Sequence, residues 1–284
     1  MRVELTNTAG KLCVIGDPVL HSRSPLLQNA MIQALGLDYI YLCQPVKAGD
    51  TARFLDAAAT LGYVGFNATM PHKEALVPLM DTLDTVAAKC GAVNTVCIKN
   101  GKYYGYNTDG GGFLAALADI GADPAGKRVL LLGAGGAARA VAAALSEAGA
   151  TVTVANRTVE KAQQIAQMDP ANITAAGFQM DALCKLAADS DVLVNCTNLG
   201  MAGTTGQFDS FDFVDALPPH AVVCDAIYNP PETALLAHAR GRGLVTMNGM
   251  GMLLHQAVLA LEHFAGKPID KEKALSAARG AMEG

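Results

Sequence analysis

Apolar residues along this chain gather in short runs, separated by longer stretches where they recur every three or four positions. The runs Lys11–Ile15, Tyr39–Gln44, Tyr63–Ala68, Ala92–Ile98, Arg128–Leu132, Thr151–Ala155, Val192–Asn195 and Val222–Asp225 predict strands. The stretches Pro25–Leu35, Asp50–Leu61, Thr82–Cys90, Gly112–Ile120, Gly136–Ala148, Val159–Gln167, Pro231–Arg242 and Gly251–Phe264 predict helices. Alternation of this kind predicts an α/β fold with mostly parallel sheets.

One strand–helix junction carries more information than the rest. Val129-Leu-Leu-Leu132 suits a buried parallel strand, and the Ala-rich stretch to Ala148 reads as a helix. The turn that joins them, Gly133-x-Gly135-x-x-Ala138, fits a dinucleotide-binding turn. Its first glycine allows the bend, its second lets backbone approach a pyrophosphate, and its small third residue lets helix and strand pack closely. The next strand ends in Asn156 and Arg157, with Lys161 beyond. An acid there would bond the ribose 2′-OH of NAD; two cations without a carboxylate fit the 2′-phosphate of NADP. The bland alternative is a packing turn with two surface cations.

This turn lies near the middle of the chain, so a complete α/β unit precedes it. Gly121–Gly126 reads as a linker or turn. The expected division is a substrate domain over 1–111, completed by 247–284, and a Rossmann-type NADP domain over 112–246. The last helices return to the first domain, and a ligand site between the two is the natural expectation.

Composition narrows the function. The chain has 284 residues, 51% hydrophobic and 17% charged, which suits a compact protein of two domains. Its net charge of −5, without a basic block, argues against a nucleic-acid partner. The most apolar region, 129–145, is broken by glycines and Arg139, so no membrane span is expected. The N-terminal Met-Arg-Val-Glu-Leu-Thr-Asn has no apolar signal core, and a cytoplasmic location is expected. The seven cysteines form no Cys-x-x-Cys pair. Cys13, Cys43, Cys196 and Cys224 are expected to be small buried hydrophobes. The six histidines lack ligand spacing, so no metal site is expected.

Four polar clusters stand apart from the fold-forming pattern. In Ser22-Arg-Ser-Pro25, Pro25 suits the start of a helix and Ser24 its N-cap; two hydroxyls there also make a carboxylate cradle. In Asn67-Ala-Thr-Met-Pro-His-Lys73, Pro71 opens a helix with Lys73 in its first turn. The positive helix end then favours proton release from the lysine, although a solvated lysine is the usual fate of the residue. Gly91-Ala-Val-Asn-Thr95 is followed by Gly105-Tyr-Asn-Thr-Asp109 and three more glycines. A helix N-cap explains Asp109 but not the glycines, which signal a close approach by ligand or chain, or a hinge. In Asn248-Gly-Met-Gly-Met-Leu-Leu-His-Gln256, a glutamine in an apolar helix needs partners, and a hydroxylated ligand would serve.

Taken in order, these clusters and the nucleotide turn resemble the shikimate/quinate dehydrogenase family nearly end to end. The family patterns Ser-x-Ser-Pro, Asn-x-Thr-x-Pro-x-Lys, Gly-Ala-x-Asn-Thr, Gly-x-Asn-Thr-Asp-x-x-Gly, Gly-Ala-Gly-Gly-Ala, Asn-Arg-Thr and Gly-x-Gly-Met-Leu-x-x-Gln all occur. The resemblance implies NADP-dependent, reversible reduction of 3-dehydroshikimate to shikimate, in the route to chorismate and the aromatic amino acids. It implies Lys73 and Asp109 as the catalytic pair, and Ser22, Ser24 and Tyr228 around the substrate carboxylate. Thr69, Asn94, Asp109 and Gln256 would bond the ring hydroxyls. Gly133, Ala134, Gly135, Gly136 and Ala137 would hold the pyrophosphate, and Asn156, Arg157, Thr158 and Lys161 the 2′-phosphate. Thr197, in the loop to Met201, would lie beside the nicotinamide, with Ile227 and Gly249 also against the cofactor. The chain departs from the family at Gln28, where histidine is frequent, at Ala68, where valine is commoner, and at Asn198, where proline or serine is usual. Quinate and aminoshikimate are the alternative substrates; threonine at one of the two serines would favour quinate. A non-catalytic NADP(H) sensor would need the turn and the Arg157 clamp but not Lys73 with Asp109. A homodimer, the commonest closed assembly, is the expected oligomer.

Overall fold

The computed structural model describes residues 5–283; Met1–Glu4, and with them part of the segment read as lacking a signal core, lie outside these, as does Gly284. The chain divides into two compact units, one comprising the chain up to Thr108 together with Leu254 onward, the other Asp109–Leu253.

The first unit begins with β1 (Gly10–Gly16), α1 (Ser24–Ala34), β2 (Tyr39–Pro45), α2 (Thr51–Thr60), β3 (Tyr63–Ala68) and α3 (His72–Leu76). It continues with β4 (Thr82–Leu83), α4 (Thr85–Cys90), β5 (Thr95–Lys99) and β6 (Lys102–Tyr106). Its sheet runs β2-β1-β3-β5-β6-β4. The first three strands are parallel, and β5 turns antiparallel to both β3 and β6. Cys13, Ile15, Phe66, Leu76, Val93 and Val96 form its core.

The second unit follows with α5 (Thr108–Asp119), β7 (Arg128–Leu132), α6 (Gly136–Glu147), β8 (Thr151–Ala155), α7 (Val159–Ala166) and β9 (Ile173–Ala176). Then come α8 (Met180–Ala188), β10 (Val192–Asn195), α9 (Asp212–Asp215), β11 (Val222–Asp225), α10 (Ala234–Gly241) and β12 (Val245–Met247). Its strands are all parallel, in the order β12-β11-β10-β7-β8-β9. Alternate residues of each strand face opposite sides. Val129 and Leu131 join one core with Val141 and Ile165, while Leu130 and Leu132 join another with Leu183, Phe213 and Leu236. Helices therefore cover both faces, which is why these strands read as unbroken apolar runs. The chain closes with α11 (Gly249–Ala265) and α12 (Lys271–Glu283), and α12 packs on α1 in the first unit.

The sequence pattern misplaced several boundaries. Thr82–Cys90 is a short strand followed by a helix, and β6, β9, β12, α8 and α12 carried too weak a pattern to be read. The first sheet is mixed because β5 and β6 form a hairpin turning at Asn100-Gly101. Asp109 does not precede its helix: α5 starts at Thr108, so Asp109 sits in the first turn and the three glycines are helical. Of the readings open for them, Gly110 is a close approach of chain. A Cβ there would lie 2.6 Å from the Ala140 carbonyl oxygen and 2.7 Å from the Ala144 Cβ. Gly110→Ala is expected to destabilise the fold by about 1–3 kcal/mol, since helix backbone must move to admit the methyl; a urea titration checks it.

Candidate functional site

Three parallel strands of the second unit end level with one another. Register pairs Leu132 of β7 with Asn195 of β10, and Asn195 with Asp225 of β11. The strand order reverses direction between β7 and β10, because the chain leaves β7 for α6 on one face and β10 for α9 on the other. A crevice at the carboxyl ends follows from that divergence. Gly133 makes the turn with φ +102°, and a Cβ there would lie 2.9 Å from the Cys196 carbonyl oxygen, so only glycine fits. Gly135 then precedes α6 without a side-chain cap, leaving first-turn N–H groups for another acceptor.

The crevice is a cavity of about 310 Å³ lined by Gly133, Ala134, Gly135, Asn156, Arg157, Thr158, Lys161, Phe178, Cys196, Thr197, Asn198 and Leu199. Two cations, amides, hydroxyls and backbone line it, and no carboxylate. That set suits a phosphorylated dinucleotide with an extra phosphate on its ribose. Asn156 Nδ2 donates to the Thr158 carbonyl (2.8 Å), which shapes the turn bearing Arg157. Desolvation around its sulfur, with the Asp225 charge nearby, pushes the Cys196 thiol up to about 12 and favours its neutral form in the wall. Gly136 and Ala137 form the first turn of α6 rather than lining the cavity. Ile227 and Gly249 also lie outside the lining; there the Gly249 N–H donates to the Ile227 carbonyl (2.9 Å). Phe178, between β9 and α8, was missed: a lone aromatic beyond a weak strand gives no sequence signal.

Behind the cavity wall lies a buried polar chain. Asn195 and Asp225 are fully buried, and Asp225 accepts from Asn195 Nδ2 (3.0 Å), the Ile227 N–H (3.0 Å) and the Thr233 hydroxyl (2.7 Å). Asn195 Oδ1 accepts from the N–H (3.0 Å) and hydroxyl (2.7 Å) of Thr197. Burial raises the Asp225 pKa, against the lowering effect of its three donors.

In the first unit the predicted residues gather at one end of the sheet. Thr69 follows β3, its N–H bonded to the Ile15 carbonyl at the end of β1. Lys73 lies in the first turn of α3, and its carbonyl accepts from Val93 N–H (2.9 Å). Asn94 immediately precedes β5, which runs antiparallel to β3, so it lies beside the end of β3, where its carbonyl accepts the Ala68 N–H (2.8 Å). A buried network fixes Asn94: Tyr41 OH donates to Asn67 Oδ1 (2.7 Å), Asn67 Nδ2 to Thr95 Oγ1 (2.8 Å), and Thr95 Oγ1 to Asn94 Oδ1 (2.9 Å). Asn94 Nδ2 in turn donates to Thr108 Oγ1 (3.0 Å), next in sequence to Asp109. Ser24 is not an N-cap: it is the first residue of α1, Arg23 takes the cap position, and Ser22 Oγ accepts the Ser24 N–H (3.2 Å). Gln256 lies half-buried on α11. Asp109 and Tyr228 belong to the second unit, where Tyr228, 38% exposed, lies just beyond β11. Cys13 and Cys224 are buried as expected, whereas Cys43, on the edge strand β2, and Cys196, just beyond β10, are partly exposed.

A parallel sheet in this order, with a glycine turn and basic pocket at its reversal point, defines an α/β protein of the dinucleotide-binding dehydrogenase class. Family models narrow the class: residues 14–96 match the shikimate dehydrogenase substrate binding domain, and residues 116–202 match shikimate / quinate 5-dehydrogenase. The chain belongs to the shikimate dehydrogenase family. It is 42% identical over 265 residues to the shikimate dehydrogenase (NADP(+)) of Alkaliphilus metalliredigens, covering 91% of this chain and 92% of that one. The fold is similar to shikimate 5-dehydrogenase from Thermus thermophilus in complex with NADP(H) and shikimate (TM-score 0.82, 33% identity, 96% and 99% covered). It is also similar to quinate dehydrogenase from Corynebacterium glutamicum in complex with NAD (TM-score 0.85, 33% identity, 96% and 99% covered). Among the described residues no helix is long and apolar enough to cross a membrane, and no group of His, Cys, Asp or Glu could hold a metal ion.

The raised Asp225 pKa sets a pH dependence. The fold binds that proton more tightly than the unfolded chain does. The associated stability is present below the ordinary carboxylate range and is lost as pH rises through the raised value. Asp225→Asn is expected to flatten this loss, so its melting temperature should gain on the parent between pH 4 and pH 7, as thermal unfolding across that range would show.

Proposed function

We propose that this chain catalyses the reversible, NADP-dependent interconversion of 3-dehydroshikimate and shikimate. One observation carries the cofactor assignment: the pocket beyond β8 presents Arg157 and Lys161 with Asn156 and Thr158, and no carboxylate. Family membership and the NADP(+)-named relative carry the substrate class. The unit containing 14–96 is read as the substrate domain and Asp109–Leu253 as the NADP domain.

When bound, the cofactor supplies hydride chemistry at the carbonyl carbon. The first-turn N–H groups of α6, with Gly133, Ala134, Gly135, Gly136 and Ala137, receive the pyrophosphate. Arg157 and Lys161 neutralise the 2′-phosphate, and Thr197, Ile227 and Gly249 complete the cofactor's surroundings. Ser22 and Ser24, with the Tyr228 hydroxyl, hold the substrate carboxylate. Thr69, Asn94 and Gln256 bond ring hydroxyls and fix the ring's orientation. Lys73 Nζ gives a proton to the oxygen that becomes the hydroxyl, and Asp109 orients Lys73 and bonds the adjacent hydroxyl. Quinate, named for one of the fold's neighbours, carries a further hydroxyl beside the carboxylate and is the competing substrate. All seven cysteines are free thiols, which suits the reducing cytoplasm. A homodimer is the proposed assembly.

Absorbance at 340 nm, with shikimate and quinate each paired with NADP⁺ and NAD⁺, tests the reading. Turnover should be greatest with shikimate and NADP⁺; preference for quinate or NAD⁺ would overturn the substrate or cofactor assignment. Lys73→Ala should lower kcat by about a hundredfold or more with an unchanged melting temperature, as expected for loss of a proton donor; near-normal turnover would refute its role. Arg157→Ala should raise KM for NADP⁺ by about tenfold to a hundredfold and leave KM for NAD⁺ nearly unchanged, since only the 2′-phosphate loses its partner.

A further inference from the structure

The polar chain behind the cofactor pocket is costly and has no part in the reaction as derived so far. Asn195 and Asp225 end two strands that are otherwise Val, Leu and Cys, and both are sealed from solvent. A carboxylate in such a place is disfavoured unless every oxygen is bonded. Asp225 meets that condition through donors from three separate segments: the end of β10, its own outgoing turn at Ile227, and Thr233, which caps α10.

The carboxylate has a directional effect. It only accepts, so the Asn195 amide must present Nδ2 to it. That leaves Asn195 Oδ1 facing the other way, where it holds both the N–H and the hydroxyl of Thr197. The Thr197 hydroxyl oxygen then accepts the Leu199 N–H (3.1 Å). With the amide reversed, Nδ2 would meet the Thr197 N–H and Oδ1 would meet the carboxylate, two unfavourable contacts that would open the turn. Thr197, Asn198 and Leu199 line the pocket beside the Gly133 turn, which closely approaches the Cys196 carbonyl.

We propose that Asp225, supported by Thr233, is a positioning residue that fixes the Thr197–Leu199 wall of the cofactor pocket by setting the orientation of the Asn195 amide. The proposal rests on the reading of this pocket as the NADP(H) site. Asp225 touches neither cofactor nor substrate; it acts through Asn195. A carboxamide in its place keeps an acceptor towards Asn195 and Ile227, and Thr233 can turn its hydroxyl to accept from the new amide. Asp225→Asn therefore preserves the relay, whereas Asp225→Ala removes it.

NADPH binding, followed by fluorescence titration of the full-length protein, gives Kd directly, beside KM for NADP⁺ and shikimate and the melting temperature. Asp225→Ala and Asn195→Ala should raise Kd for NADPH by about tenfold, the scale of one ordered hydrogen-bonded contact. In Asn195→Ala, KM for shikimate should stay within about twofold, because the Thr197 turn lies on the cofactor side, whereas Asp225→Ala also frees the Ile227 N–H next to Tyr228. Asp225→Asn should stay within about threefold of the parent Kd. Leu183→Ala, a core residue of α8 that does not line the pocket, should lower the melting temperature and leave Kd unchanged. Parent-like Kd in a folded Asp225→Ala would overturn the proposal, as would an equal loss in Asp225→Asn or in Leu183→Ala. Should Asp225→Ala not fold, Thr233→Val removes a single donor at constant shape; it should raise Kd severalfold, and an unchanged Kd would count against the relay. If the parent protein itself does not bind NADPH, it is the reading of the pocket that fails.

Discussion

At Gly133 two stretches of backbone come closer than a side chain would permit, and the second unit is arranged around that approach. The strands β7 and β10 lie side by side, yet their chains depart to opposite faces of the sheet. Their first residues beyond the sheet, Gly133 and Cys196, are still in contact where the departure begins. A methyl group at 133 would push these turns apart and displace both the start of α6 and the segment leading to Leu199. The geometry of the pocket thus depends on one missing side chain, and the apolar strands beneath it hold the two turns in register.

In each unit a network of buried polar groups reaches the strand ends. In the first, Tyr41, Asn67, Asn94, Thr95 and Thr108 bond one another; in the second, Asn195, Asp225 and Thr233 do so. Strand bodies need only apolar area, which is non-directional and tolerant. Turns that must hold a ligand need direction, and hydrogen bonds supply it. The polar clusters mark where each sheet stops serving the core and begins to fix its loops.

This division explains what the sequence made legible. The strands of the second sheet are buried on both faces, so their runs of Val and Leu were plain, and the Gly133 turn was legible because its constraint is local. The basic end of β8 was readable for the same reason. The strands β4, β9 and β12 were not, since each is short and lies at the edge of its sheet, where no continuous apolar run is needed. The glycines after Asp109 were noticed, but α6, the partner that requires Gly110 to be bare, comes some thirty residues later in a contact no local pattern encodes. Phe178 and the Asp225 relay were hidden likewise: their meaning lies in which strand ends are neighbours. Lys73, Asn94 and Asp109 drew attention by their motifs, while the network that fixes Asn94 emerged only with the antiparallel turn of β5.

The packing of α12 on α1 has a consequence for how the protein is made. Residues 109–253 form a unit from one uninterrupted stretch, whereas the first unit draws on both ends of the chain. On the ribosome α1 emerges early, but the helix that covers it is synthesised only after the whole second unit. The second unit has all its strands in hand before then and can fold as a unit during synthesis. The first unit is therefore completed only after the second, and the face of α1 that α12 covers waits, uncovered, while the whole of the intervening unit is translated.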